Sequence, residues 1–396
     1  MPSLTKQSAS GFAWLLIQSG GARLIGFFSQ ILLARLLSPA DFGDIALVSS
    51  LTAVIATLVG FGVDDVLLSR TRHIRVWIAP AFWASLAFSC VGAISLLALA
   101  PIANHFYRSQ SLFGLLAVLA GSLPLAAFST VPRAYLRKDL RFRFMATYAT
   151  AELLATQLLT IFLAWRSFGA YSFVIPTPLA AAVRTLIFWY AAEAPQRARL
   201  RWWHLRVLLR SGSTVFGQKL VTSLRENGDY LLLGFVARKA EVGLYFMAFK
   251  LAAVPVYTLV SSLSGVLFPA LAQLRSEPDR QCAAALSASR AIALAVIPLS
   301  FLQAAVSGSV LRIFFGERWV PAAATLSILT IGLAYDAVPC VASALLTANG
   351  KFNAQWRWSI ASIPVFFLLI ALGCKFAGSL GVAMGCLLYT SDAADE

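Results

Sequence analysis

Several long apolar runs of this chain carry charged and hydrogen-bonding side chains, and the richest set is periodic. Ser211, Thr214, Gln218, Thr222, Arg225 and Asp229 follow one another at spacings of 3, 4, 4, 3 and 4. That spacing puts all six on one face of a single helix. Lys219 and Glu226 lie beside the stripe, Arg225 and Asp229 stand at i,i+4, where they can pair, and one reading takes Arg225–Asp229 and Lys219–Glu226 as structural ion pairs. The other reading of the same residues is an anion-binding cavity, because planar guanidinium forks suit phosphate or diphosphate. The first apolar run has a sparser version in Ser19, Arg23, Gly26 and Gln30. Arg23 has no acidic partner within its own helix, which favours the cavity reading there. The candidate cavity residues are Arg23, Gln30, Gln218, Lys219, Thr222, Arg225 and Asp229.

Carboxylates in apolar runs suit a different task. They can take up and release an ion as their surroundings open and close. Asp336, a turn before Pro339, and Glu152, with Gln157 deeper in the same run, are the candidates for ion coupling. Asp64 and Asp65 belong at the mouth of the second run. Lys250 and Arg184 are placed near helix ends, where long cationic side chains reach back to the interface. Five Cys and three His show no CxxC or Cys/His spacing, so neither a metal centre nor a disulfide framework is indicated. No phosphate-binding glycine loop or nucleophile elbow is present, and no cofactor is expected.

The surrounding elements must be membrane helices. The 396 residues are 59% hydrophobic and 12% charged, against about 45–50% and about 25% in soluble domains. That balance excludes a soluble enzyme, a disordered chain and a nucleic-acid-binding domain. A membrane helix needs about 20 apolar residues. Eleven runs qualify, at about 11–34, 42–68, 76–100, 111–131, 145–166, 167–191, 213–236, 243–268, 285–308, 322–347 and 357–378, and a twelfth begins near Ser379. Their length and continuity exclude a β-barrel. The first run lacks a cleavage site and reads as a retained helix.

Charge sets the orientation. With the N-terminus in the cytoplasm, inner loops carry 19 of the 32 Lys and Arg, outer loops 8, and the runs themselves 5. A bias that alternates loop after loop supports the helix count and predicts an N-in multi-pass membrane protein. Trp202-Trp203, set among basic residues, reads as an interfacial segment on an anionic leaflet.

An internal repeat organises the runs. Leu33-Ala34-Arg35 followed by Phe42-Gly43-Asp44 is echoed by Val236-Ala237-Arg238 followed by Val242-Gly243-Leu244, about 200–210 residues later. An even number of helices lies between the copies, which implies parallel six-helix halves. The expected architecture is all-α: two parallel six-helix lobes around a central cavity, with about 11 complete transmembrane helices and a truncated twelfth. The lobes are expected at 1–195 and 213–385, joined by a basic cytoplasmic linker at 196–212. Residues 386–396, CLLYTSDAADE, resemble a translated sequencing adapter and are read as a non-native tail.

Four segments carry a family resemblance: ILLARLLSPADFGDIAL from Ile31 to Leu47, VPRAYLRKDLRFRF from Val131 to Phe144, NGDYLLLGFVARKAEVGLYFMAFKLAAVP from Asn227 to Pro255, and VLFPALAQL from Val266 to Leu274. They resemble the Wzx-like polysaccharide-transport flippases of the multidrug/oligosaccharidyl-lipid/polysaccharide exporter superfamily. Asp64-Asp65 departs from the pattern, where small or apolar residues are more usual. The resemblance implies a transporter and not an enzyme. It would move an undecaprenyl-pyrophosphate-linked oligosaccharide outward by alternating access, with a proton or sodium gradient as the drive used in the superfamily. The implied partners are the lipid-linked oligosaccharide, membrane lipids, and the polymerase and glycosyltransferases of surface polysaccharide synthesis. Two alternatives stand beside it. A drug/ion antiporter of the same superfamily would favour carboxylates in its cavity, and a membrane-embedded polymerase or ligase would need a sizeable outer loop.

Overall fold

The computed structural model describes Gly21 and residues 25–60, 74–107, 109–139, 141–192 and 202–395. Arg23, Asp64 and Asp65 lie outside the described residues, as does the side chain of Asp336. The described residues form helices joined by short turns, with no strand among them. In chain order these are α1 (Ile25–Leu36), α2 (Pro39–Gly60), α3 (Ile74–Phe106), α4 (Ser111–Ala127), α5 (Thr130–Lys138), α6 (Phe142–Trp165), α7 (Pro176–Ala191), α8 (Trp202–Val236), α9 (Lys239–Gln273), α10 (Pro278–Val310), α11 (Ala323–Asp336), α12 (Pro339–Ala348) and α13 (Phe352–Asp395). Eight helical stretches among the described residues are long and apolar enough to cross a membrane. A ninth is possible if α4 and α5, bent by 44°, count as one span. The chain is therefore a multi-pass, all-helical membrane protein.

By contacts it divides into two compact units. The first comprises Met1–Ser38 and Ile55–Gly217, and the second Pro39–Val54 and Gln218–Glu396.

In the first unit, Trp77, Ile78, Val131, Tyr135, Phe188 and Leu208 form a buried cluster at one end of the helices. The break between α4 and α5 orphans the last carbonyls of α4. Two side chains of α7 satisfy them: Thr185 Oγ1 donates to the Leu125 carbonyl at 3.0 Å, and Trp189 Nε1 to that of Phe128 at 2.9 Å. Threonines within the spans bond their own helix. Thr156 and Thr160 donate to the carbonyls four residues back, at 2.8 Å each, so their hydroxyls sit in an apolar environment without an unmet donor.

The second unit shows the same economy. Pro255 has no N–H to give the Leu251 carbonyl, and Gln303 Nε2 of α10 donates to that carbonyl at 2.8 Å instead. Gln281 Nε2 donates to the Leu271 carbonyl at the end of α9, while its Oε1 accepts from Asn349 Nδ2 at 3.1 Å. α13 reverses direction at Ala377–Gly378, where Gly378 adopts φ 56°. The two arms touch through glycines. A Cβ on Gly381 would meet the Gly373 carbonyl oxygen at 1.8 Å, and one on Gly385 the Leu369 oxygen at 2.7 Å. Gly381 and Gly385 form a small-xxx-small pair that lets two membrane helices pack backbone to backbone. The second arm starts where the sequence places a new run, near Ser379, and Leu387 packs on Gly332 of α11.

The repeated hairpin motif also has a tertiary consequence. α2 and α9 begin alike: each follows a two-residue break after the preceding helix, with Pro39 and Lys239 as first helical residues. Pro at the first position and Asp41 in the first turn suit a helix start. The two first turns then cross each other. A Cβ on Gly43 would lie 2.0 Å from the Lys239 carbonyl oxygen, and a Cβ on Gly243 would lie 1.8 Å from that of Pro39. The contacts are reciprocal at an offset of 200 residues. Each repeat copy supplies the glycine that the other copy's backbone requires.

Candidate functional site

A cavity of about 610 Å³ opens in the second unit, lined mainly by α8 and α9 with Leu333, Phe366 and Cys386 closing its sides. From α8 come Thr222, Arg225, Glu226 and Asp229, along with Val221, Asn227 and Tyr230. The stripe spaced for one helical face thus supplies three lining residues. α9 adds Phe246, Phe249, Lys250 and Tyr257. Arg225, Glu226 and Lys250 are exposed, and Asp229 is buried at 4%.

Asp229 is held by tyrosines. Its Oδ2 accepts the Tyr245 hydroxyl at 2.8 Å and its Oδ1 the backbone N–H of Tyr230 at 2.8 Å. Rings surround it: Tyr230 packs edge-on to Tyr245 at 5.5 Å, to Phe246 at 5.6 Å and to Phe249 at 6.0 Å. Replacing Tyr245 by phenylalanine keeps this packing and removes one donor from a buried carboxylate. The expected cost is about 1–3 kcal/mol, read as a lower thermal unfolding midpoint in detergent. An unchanged midpoint would show that the hydroxyl contributes nothing to the fold.

Lys250 corrects an expectation. It was placed near a helix end and expected to reach the interface, but α9 runs over 35 residues and carries Lys250 in its interior. Its Nζ lies 4.5 Å from the centre of the Phe246 ring, within cation–π range, and the residue lines the cavity beside Arg225. Its i,i+4 relation to Phe246 was the available sequence signal. Hydropathy alone does not distinguish a cation facing a cavity from one reaching for headgroups.

The remaining candidates fall elsewhere. Gln218 and Lys219 are exposed on α8 and are not among the lining residues, and Gln30 is half-buried on α1. Glu152 lies in the first unit, where its Oε1 accepts Arg184 Nη1 at 3.1 Å. Arg184 therefore has a partner on α6 and does not simply reach for the interface. Asp336 ends α11.

An apolar, aromatic wall carrying two exposed cations can hold an anionic head group at the cations and an apolar or sugar ring against the ring faces. Glu226, the exposed acid of the lining, keeps the site from being purely cationic. No group of three or more metal-ligating side chains occurs among the described residues.

Comparison with known proteins gives a consistent pattern. The family model described as Polysaccharide biosynthesis protein matches residues 32–324. The lipopolysaccharide biosynthesis protein WzxC of Escherichia coli (strain K12) is 23% identical over 388 residues, covering 98% of this chain and 79% of WzxC. Among solved structures, the lipid II flippase MurJ in an inward closed conformation superposes with a TM-score of 0.80 at 14% identity, covering 97% of this chain and 88% of that one. An inward-facing multidrug resistance MATE family transporter of the MOP superfamily gives 0.73 at 16% identity, covering 94% and 92%. At these identities the structural likeness establishes the fold.

Proposed function

The chain belongs to the polysaccharide biosynthesis protein family, and from that premise we propose that it is a flippase carrying lipid-linked oligosaccharide across the bacterial inner membrane. The cargo is an undecaprenyl-diphosphate-linked repeat unit, moved outward by alternating access. The observation that carries this reading is the pairing of Arg225 and Lys250 on one aromatic-walled cavity. The diphosphate meets the cations, sugar rings stack on the aromatic faces, and the polyprenyl tail stays in the bilayer. The N-terminus is cytoplasmic, as the 19-to-8 distribution of basic residues supports, and each parallel six-helix half forms one lobe. Ion coupling is proposed at Asp336 and at Glu152, whose pairing with Arg184 an ion would break. Membrane lipids, a polymerase and glycosyltransferases are the proposed partners. A drug antiporter fits less well, because an organic cation would face two like charges.

The test is made in cells lacking their own flippase and supplied with the matching glycan pathway. Expression of this chain should return surface polymer and empty the inner-leaflet pool of lipid-linked repeat units. A pool that stays full while the protein sits in the membrane would overturn the assignment.

A further inference from the structure

The crossing of α2 and α9 lies at the hairpin end of the cavity. The cavity lining stops at Tyr230 on α8 and begins at Phe246 on α9. Gly243 is three residues before Phe246, just under one helical turn. Beyond the lining, the first turn of α2 lies across the first turn of α9, backbone against backbone at Gly43 and Gly243. Lys239 Nζ and Asp44 Oδ1, 3.4 Å apart, tie the two turns together.

A chain of rings joins this crossing to the cavity. Phe42, wholly buried, sits edge-on to the buried Trp319 at 5.0 Å and against Phe246 at 6.4 Å. Phe246 lines the cavity and carries the Lys250 ammonium over its face. One ring therefore touches both the α2 turn and the cavity's cation.

Resting on the anion-binding reading of the cavity, we propose that the Gly43–Gly243 crossing is the closed outer seal of the cavity, and that Lys250, acting through Phe246, couples an anionic occupant to its opening. An anion draws the ammonium off the ring. Phe246 then repacks, and Phe42 loses the surface that seats the α2 turn. The crossing suits a two-position device. Contacts made at backbone van der Waals distance are lost over a fraction of an ångström, so the turns are either seated or apart. The Asp44–Lys239 pair holds the seated form without burying an uncompensated charge.

The experiment follows the seal directly. In the chain with its five cysteines replaced, Asp44→Cys and Lys239→Cys are crosslinked by a short bifunctional thiol reagent. The protein is reconstituted in phosphatidylethanolamine–phosphatidylglycerol vesicles, and farnesyl diphosphate is the probe, with its binding measured in parallel. Coupling between sites is worth about 5- to 150-fold, so saturating probe should lower the crosslinking rate at least about fivefold. In Lys250→Gln the rate should stay high at saturation, and in Phe246→Leu it should be low even without probe. If Phe246→Leu does not fold, Lys250→Gln carries the test, since its side chain faces the cavity. Bound probe with an unchanged rate would overturn the coupling and leave the cavity reading standing, and an equal drop in Lys250→Gln would do the same. Failure of the probe to bind would overturn both.

Discussion

Gly243→Ala separates the first turns of α2 and α9 and lowers the stability of the whole protein. The added methyl would sit 1.8 Å from the Pro39 carbonyl oxygen and 2.8 Å from the Gly43 nitrogen. Both are backbone atoms, so no side-chain rotation relieves the overlap, and one helix must move. Overpacking a close contact costs about 1–3 kcal/mol, occasionally more, and a backbone-to-backbone site belongs at the upper end. Gly43→Ala should cost a similar amount, because its methyl meets the Lys239 oxygen at 2.0 Å. The double variant should cost little more than either single one, since separating the turns once relieves both overlaps and neighbouring sites do not add. Gly121→Ala is the control: its Cβ would meet nothing within 4 Å, and alanine in a helix is favoured over glycine by roughly 0.5–1 kcal/mol. Thermal unfolding in detergent, followed by circular dichroism, reads all four. Equal midpoints for Gly243→Ala and Gly121→Ala would refute the crossing.

Arg225→Ala removes the guanidinium from the cavity wall and should sharply reduce export while leaving the protein folded and inserted. Arg225 is exposed on the lining, so its loss opens no void in the core. Anchoring contacts of this kind are worth about 2 kcal/mol or more, and 1.4 kcal/mol is tenfold in an equilibrium constant. The expected fall in binding or export is therefore roughly 30-fold. Arg225→Lys should recover part of it, since an ammonium keeps the charge but not the two-pronged geometry. The readout is surface polymer in the flippase-deficient strain, with membrane insertion checked by immunoblot. Normal polymer from Arg225→Ala would remove Arg225 from the site.

Three of the fourteen lining residues were legible as cavity candidates along the chain. The 3-4-4-3-4 stripe predicted that Thr222, Arg225 and Asp229 share a face, and all three line the cavity. The same stripe was extended to Gln218, which α8 leaves off the lining. Asp229 stands at i,i+4 to Arg225, and only the fold adds the hydrogen bonds that both its carboxylate oxygens accept from tyrosines, Oδ2 from Tyr245, a residue on another helix. Read from the sequence, Lys250 belongs near a helix end, where a long cationic side chain reaches back to the interface. Only the packing of α8 on α9 makes the run that carries it a cavity wall.

Properties that each segment carries alone were decided by the sequence: that the chain is built of apolar helical runs, where the basic residues accumulate, and that a hairpin motif occurs twice. These depend on local composition and on a 3.6-residue period, so they add along the chain. Tertiary structure decided which segments meet. The repeat showed that Gly43 and Gly243 occupy equivalent places, and only the fold brings them together, so that each is glycine because the other copy's backbone needs its space. The same holds for Gln303, which answers the carbonyl that Pro255 leaves open across 52 residues. Contacts between residues so far apart are set by how whole helices pack, and no local pattern encodes that.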